Sequence, residues 1–133
     1  MLLRVSHPER PLVYACSGCS NAAQTTNYLA VKLDRLGLAE MSCVAGVGAG
    51  VSHLLDVARS GRPIIALDGC HLACARQCLE NQGIVPDRHF VMTRLSTKLR
   101  FHKDYDPLEA ERIAEQVVLA AAELLSPQPV STP

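Results

Sequence analysis

Cysteine is the residue type that dominates the chemistry available to this sequence. The chain has 133 residues and contains six cysteines. The stretch YACSGCSNAAQ (14–24) holds two of them, and DGCHLACARQCLE (68–80) holds three more. Thiolates bind zinc and iron–sulfur clusters, and they also carry thiol redox chemistry. The cysteines therefore form a disulfide framework, a redox pair or a metal site.

The redox state of the compartment bears on this choice. The N-terminal stretch MLLRVSHPERPL lacks the apolar core of a signal peptide. No apolar run approaches the roughly 18 residues of a membrane span. We therefore expect a cytoplasmic protein without membrane contact, in which thiols stay reduced. This expectation disfavours structural disulfides and favours metal binding or redox chemistry.

The composition narrows the class of partner. Hydrophobic residues make up 48% of the chain and charged residues 20%, which is typical of a globular protein. Lys plus Arg and Asp plus Glu both number 13, so the formal net charge is zero. Because no basic stripe is present to follow a phosphate backbone, we expect no nucleic-acid partner. Low net repulsion is compatible with a homo-oligomer.

Strand and helix patterns alternate along the chain. Short apolar runs predict strands at 11–16, 39–45, 63–68 and 89–95. Helical periodicity and capping residues predict helices at 20–36, 52–59, 70–81 and 106–126. The alternation predicts one three-layer α/β domain at 1–126, with helices on both faces of a mostly parallel sheet of about four strands. For the strand order our hypothesis is 2-1-3-4. Residues 127–133 are expected to form a loose tail.

Five cysteines fall near the carboxyl ends of the predicted strands, where such sheets carry their functional crevice. Cys16 ends the first strand, Cys43 lies near the end of the second, and Cys70 follows the third. Cys19 lies in the turn before the first helix, and Cys74 comes four residues after Cys70. We therefore expect these five cysteines at one edge of the sheet.

The predicted third helix gives a second reason to select two of these cysteines. At about 100° per residue, Leu72, Ala75 and Leu79 share one face of a helix that begins near residue 70. On the same helix, Cys70 and Cys74 lie on roughly the opposite face. They are therefore expected to point away from the core and toward a site.

Zinc is the metal that two pairs of cysteines most commonly bind. Cys16 and Cys19 would form one pair and Cys70 and Cys74 the other, with Cys43 as an alternative thiol for the fourth position. A four-thiolate site also suits an iron–sulfur cluster, which stays open as an alternative cofactor. Reactive thiols without metal stay open as well, because C-x-x-C after a strand is also a redox motif.

Other candidate residues have simpler interpretations. Cys78 is expected to pack as a small hydrophobic residue. Asp68 is expected to cap the third helix, with a hydrogen bond to a metal ligand as the alternative. His53 and His71 are expected to be surface residues near the crevice, with a role as ligand or proton carrier as the alternative. The turn GVGAG (46–50) does not match the dinucleotide-binding pattern G-x-G-x-x-G, and we expect it to bring backbone close to the cysteines.

Three stretches closely resemble a known family. They are ACSGCSNAAQ (15–24), AEMSCVAGVGAGV (39–51) and DGCHLACARQCLE (68–80), and they resemble the short bacterial proteins called DGC-domain proteins. The family is named for the triplet seen here at 68–70, and the resemblance runs from about residue 13 to about residue 106.

Members of that family are described as zinc-binding proteins. The resemblance implies that Cys16, Cys19, Cys70 and Cys74 are zinc ligands, and Cys43 also matches the family pattern. It implies no particular reaction, so whether the chain is an enzyme stays open.

Overall fold

A four-stranded parallel sheet forms the centre of the molecule in a computed structural model that describes residues 7–125. The strand order is β2-β1-β3-β4, and every neighbouring pair is parallel. The strands are β1 (Leu12–Ala15), β2 (Glu40–Met41), β3 (Ile64–Asp68) and β4 (Arg88–Val91). Both the predicted α/β class and the predicted order 2-1-3-4 are confirmed. The proposed tail at 127–133 lies outside the described residues.

Five α-helices connect or follow these strands. They are α1 (Asn21–Arg35), α2 (Val44–Gly48), α3 (Ser52–Ala58), α4 (Cys74–Asn81) and α5 (Pro107–Leu124), with a 3-10 helix at Met92–Arg94. No helix within residues 7–125 combines the length and apolar character that a membrane crossing requires.

The side chains of the central strands alternate between two cores. Val13 and Ile65 pack in a cluster with residues of α1 and α5, and Leu12 and Ile64 pack in a cluster with residues of α2, α3 and α4. Successive side chains of a strand point to opposite faces, so both faces of the sheet are covered. The predicted arrangement of three layers is thereby confirmed.

Local signals in the sequence place the two longest helices. Ser20 is the N-cap of α1, and its hydroxyl accepts a hydrogen bond from the Ala23 amide at 3.1 Å. Gly37 follows the C-cap with φ of 76°, a conformation that glycine adopts without strain. Asp106 caps α5 through the Leu108 amide, and Pro107 is its first residue.

The second strand is shorter than the predicted 39–45. Only Glu40 and Met41 pair with β1, and α2 begins at Val44. The GVGAG turn is therefore largely helical. A Cβ at Gly46 would lie 1.9 Å from Leu54 Cδ1, so this glycine allows α2 to pack closely against α3.

The fourth strand ends at Val91, before the predicted end at residue 95. Val91 pairs with Asp68, which is the last residue of β3, so no neighbouring strand remains to continue the ladder. The chain instead forms the 3-10 helix Met92–Arg94.

Candidate cysteine site

The loops after three adjacent strands carry five cysteines to the carboxyl edge of the sheet. Cys16 follows β1 directly, Cys43 lies two residues beyond β2, and Cys70 lies two residues beyond β3. Cys19 lies just before α1, and Cys74 is the first residue of α4. Because β2, β1 and β3 are neighbours and parallel, these loops meet at one edge.

Cys16 is the buried member of this group. Its Sγ accepts a hydrogen bond from the Gly69 amide at 3.2 Å and lies 3.4 Å from Thr26 Oγ1. Thr26 has one hydroxyl proton and lies 2.6 Å from the Ala23 carbonyl oxygen. That proton can be donated to the carbonyl or toward Cys16 Sγ, so either atom of the Cys16–Thr26 contact can be the donor.

Burial has the largest effect on the electrostatics of Cys16. Burial raises the pKa of its thiol, although the hydrogen bonds from Thr26 and Gly69 act in the opposite direction. The charges of Asp68 and Cys74 raise the pKa further, so both groups lie within electrostatic range. Cys16 also packs in one cluster with Ala75, the residue after Cys74.

Gly69 holds the loop after β3 against the start of α1. A Cβ at this position would lie 2.7 Å from the Ala23 nitrogen and 2.8 Å from the Ala22 carbonyl carbon. Any larger residue would therefore collide with backbone. The Gly69 carbonyl accepts a hydrogen bond from the Thr93 amide at 3.1 Å, which fixes the loop from its other side.

The predicted start of the third helix at residue 70 is wrong. The helix α4 begins at Cys74, because Ala73 has φ of 52° and ψ of 49°, which lie outside the right-handed helical region. Cys70 and Leu72 therefore lie in a turn, and Leu72 is 68% exposed instead of packing with the core. Cys70 and Cys74 do not share a helical face, contrary to the prediction, because only Cys74 lies in α4.

Asp68 caps α4, as predicted, but it does so from the end of β3, because the N-cap position itself is Ala73. Its Oδ1 accepts a hydrogen bond from the Ala75 amide at 2.7 Å, and its Oδ2 accepts one from the Arg76 amide at 3.2 Å. His89 Nε2 lies 2.7 Å from the same Oδ2. These contacts explain why the helix begins where it does, since the N-cap residue Ala73 makes no side-chain cap and Asp68 receives the amides of Ala75 and Arg76.

Cys78 packs against α2. A Cβ at Gly48 would lie 2.9 Å from Cys78 Sγ, so the sulfur rests against the backbone of that helix. Burial raises the pKa of the Cys78 thiol, and the nearby charges of Cys74 and Asp68 raise it further. This environment agrees with the predicted packing role of Cys78.

Cys19, Cys43 and Cys74 are exposed. The Cys43 sulfur accepts a hydrogen bond from the Gly46 amide at 3.4 Å and caps α2. The Cys19 carbonyl accepts one from the His102 amide at 2.8 Å. The solvent-facing thiols of this edge are therefore available to reagents or ligands, whereas Cys16 is covered.

A metal site is supported by the donor chemistry but is not pre-assembled. Five thiols at one edge are a donor set that suits zinc, and the amide that faces Cys16 Sγ would stabilise a thiolate there. Within residues 7–125, however, no three His, Cys, Asp or Glu side chains are grouped closely enough to hold one ion. His53 and His71 are both exposed. Metal binding would require rotation of side chains or movement of the loops.

Sequence reasoning missed Asn21, which anchors a distant segment beside this edge. Its side-chain amide donates to the Lys98 carbonyl at 2.8 Å, and its side-chain oxygen accepts from the Arg100 amide at 2.7 Å. Asn21 is fully buried. An asparagine at the start of a predicted helix signals a cap, but no local pattern identifies a partner almost eighty residues away.

Comparisons with known proteins agree with the three matched stretches. The profile of the DGC domain matches residues 12–117. A curated protein of Pseudomonas aeruginosa, the anaerobic and virulence modulator AnvM, is 54% identical over 103 residues, which cover 77% of this chain and 79% of that protein. No solved structure gives a significant match. The chain therefore belongs to the DGC-domain family.

Proposed function

We propose that this protein binds zinc through cysteine thiolates at the carboxyl edge of its sheet. The observation that carries the proposal is the convergence of five cysteines from the loops after β1, β2 and β3. Six thiols in a short chain remain reduced in the cytoplasm, where the proposal places the protein. Zinc then serves structure, sensing or metal handling.

In this proposal Cys16, Cys70 and Cys74 supply three ligands. Cys16 lies beside the loop that carries Cys70 and beside the first turn of α4, which carries Cys74. Cys19 and Cys43 compete for the fourth position, since both are exposed at the same edge.

Zinc binding would displace the proton of the Cys16 thiol, and the residues around Cys16 affect this step. Burial favours the neutral thiol of Cys16, whereas zinc binds the thiolate, so ligation requires the thiol proton to leave. The Gly69 amide already donates to Cys16 Sγ and would stabilise the sulfur once it is charged.

The direct test is metal analysis of protein that is purified without oxygen. A colourless protein that contains zinc in a fixed ratio to the chain supports the proposal. A visible absorption band with bound iron would indicate an iron–sulfur cluster instead. Protein that stays free of zinc after incubation with zinc contradicts the proposal, and protein purified without oxygen that contains no iron contradicts the iron–sulfur alternative.

The choice of ligands predicts a contrast between Cys70 and Cys78. Cys70→Ser should abolish zinc binding, because loss of one thiolate removes a large part of the binding energy. Cys78→Ser should leave binding nearly unchanged and cost about 1 kcal/mol of stability, because it places a hydroxyl against α2. Zinc per chain and thermal melts with and without chelator measure both effects. Loss of zinc only in Cys78→Ser would reverse the assignment.

Thiol redox chemistry is the second candidate. It is supported by the three exposed thiols at this edge, which are those of Cys19, Cys43 and Cys74. The relative AnvM is named an anaerobic modulator, and a response to oxygen is a natural role for such thiols. Peroxide treatment of metal-free protein should then consume thiols in pairs, as peptide mass spectrometry would show. Unchanged free thiols would contradict it.

A further inference from the structure

The carboxylate of Asp68 receives three hydrogen bonds in a buried position. Two come from the amides of Ala75 and Arg76 in the first turn of α4, and the third involves His89 Nε2 at 2.7 Å. The Asp68 side chain is 1% exposed and that of His89 is 15% exposed. The two amides donate to both carboxylate oxygens, and the tautomer of His89 with its proton on Nε2 supplies a third donor to Asp68 Oδ2.

The first turn of α4 depends on this carboxylate. Ala73 precedes the helix in a left-handed conformation and supplies no side-chain cap. Asp68 is thus the side chain that satisfies the amides of Ala75 and Arg76. Cys74 lies directly before these two residues.

The beginning of the loop between β3 and α4 is fixed on Cys16. Gly69 follows Asp68 and donates its amide to Cys16 Sγ. The orientation of the Asp68 carboxylate therefore relates the start of α4, with Cys74, to the buried Cys16. His89 belongs to β4 and is the side chain that holds this carboxylate from the sheet side.

We infer that His89 is a positioning residue of the cysteine site. It holds the Asp68 carboxylate in the orientation that caps α4, and so it sets Cys74 beside Cys16. The consequence for metal binding rests on the proposed function, but the consequence for α4 does not.

Amide hydrogen exchange of the metal-free, reduced protein tests the effect on the helix. His89→Leu removes the donor, and His89→Gln retains an N–H group in a similar position. We expect His89→Leu to lower protection of the first α4 turn by roughly tenfold or more relative to α1, and His89→Gln to retain most of it. Arg88→Gln is the matched control on β4, because it removes only an exposed ion pair with Glu123.

Unchanged protection of α4 in His89→Leu would overturn the inference. An equal loss in α1 and α4 would also overturn it, because His89 would then act on the whole fold.

Zinc affinity of the same variants tests the effect on the site. Removal of a group that orients a ligand typically weakens metal binding about 10- to 100-fold. We expect that loss in His89→Leu, with recovery in His89→Gln. If the parent protein binds zinc and His89→Leu binds it equally tightly, the positioning role is wrong. If the parent binds no zinc, the proposed function fails and hydrogen exchange alone decides the role of His89.

Discussion

Cysteines of one short chain differ in chemistry according to what surrounds each sulfur. Cys16 is enclosed by the Gly69 amide and the Thr26 hydroxyl, and Cys78 rests against the backbone of Gly48. Cys19, by contrast, is exposed in the turn before α1. Reactivity at this edge is therefore set by burial and hydrogen bonding and differs from one cysteine to the next.

Cys16 should react with alkylating reagents more slowly than the exposed Cys19 in the metal-free protein. Burial raises the pKa of the Cys16 thiol, so a smaller fraction of Cys16 is thiolate at neutral pH. The rate of Cys16 alkylation should therefore keep rising as the pH passes the ordinary thiol pKa of about 8.5. Alkylation at Cys16 should be at least about tenfold slower than at the exposed Cys19. Mass spectrometry of labelled peptides measures both sites in one sample. Equal rates would show that Cys16 is not enclosed.

At the scale of elements, the connecting loops determine where the residues of the site lie. The turn between β3 and α4 is fixed by the Asp68 cap at one side and by Gly69 against α1 at the other. The segment after the 3-10 helix is fixed by Asn21, whose backbone amide also donates to the Arg100 carbonyl. Irregular backbone thus becomes a rigid edge because helix termini and buried side chains satisfy its polar groups.

Gly69→Ala should destabilise the protein strongly. The added Cβ would collide with the backbone of Ala22 and Ala23, which cannot move aside as a flexible side chain can. We expect a loss of about 1–3 kcal/mol or more in urea unfolding. Gly18→Ala is the matched control, since its Cβ would make an ordinary contact at 3.6 Å with Ala23 Cβ. Equal stability of the two variants would contradict the close approach.

Asn21→Ala should loosen the segment that it anchors. The substitution leaves the Lys98 carbonyl and the Arg100 amide without their side-chain partners, at a cost of about 2 kcal/mol or more. Asn27→Ala, at an exposed position of the same helix, should cost far less. Urea unfolding and limited proteolysis near residues 98–103 measure the effect. Cleavage that is unchanged from the parent protein would contradict the anchoring role.

At the scale of the whole molecule, the opposite edge of the sheet is held by one arginine. Arg62 donates to the carbonyls of Arg10 and His7 at 3.0 and 2.9 Å and pairs with Glu40 at 2.9 Å. These bonds tie the described start of the chain to β2 and to the residues before β3. The amino end of the sheet thus serves stability, while the carboxyl edge carries the cysteines.

Protonation of the Glu40 carboxylate should lower the stability of the protein in acid. Burial alone would raise the pKa of Glu40, but the His7 amide and the Arg62 guanidinium together hold it below its ordinary value. The stabilising contribution is therefore present above the unfolded-state pKa of about 4.3 and is lost as the pH falls through the lower folded-state pKa. Glu40→Gln should flatten this part of the stability profile, measured by urea unfolding at several pH values. Equal slopes would contradict the assignment.

Local patterns were sufficient for the framework of the fold. Apolar runs and caps such as Ser20 and Asp106 located the main strands and the two longest helices. The parallel sheet with helices on both faces followed from alternation, because parallel strands need crossover connections that pack on the faces of the sheet. Alternation alone does not determine the strand order 2-1-3-4, which the structure confirms. The placement of five cysteines after three strands followed from the same reasoning.

Tertiary contacts decided the details of the site. The start of α4 at Cys74 follows from the Asp68 carboxylate and the left-handed Ala73, whereas helical periodicity extended the helix back to Cys70. Asn21 and His89 find their partners across the fold, at separations that local patterns do not encode. Periodicity reports which face of an element is apolar. Only packing determines where an element begins, because buried polar groups must find partners wherever the fold brings them.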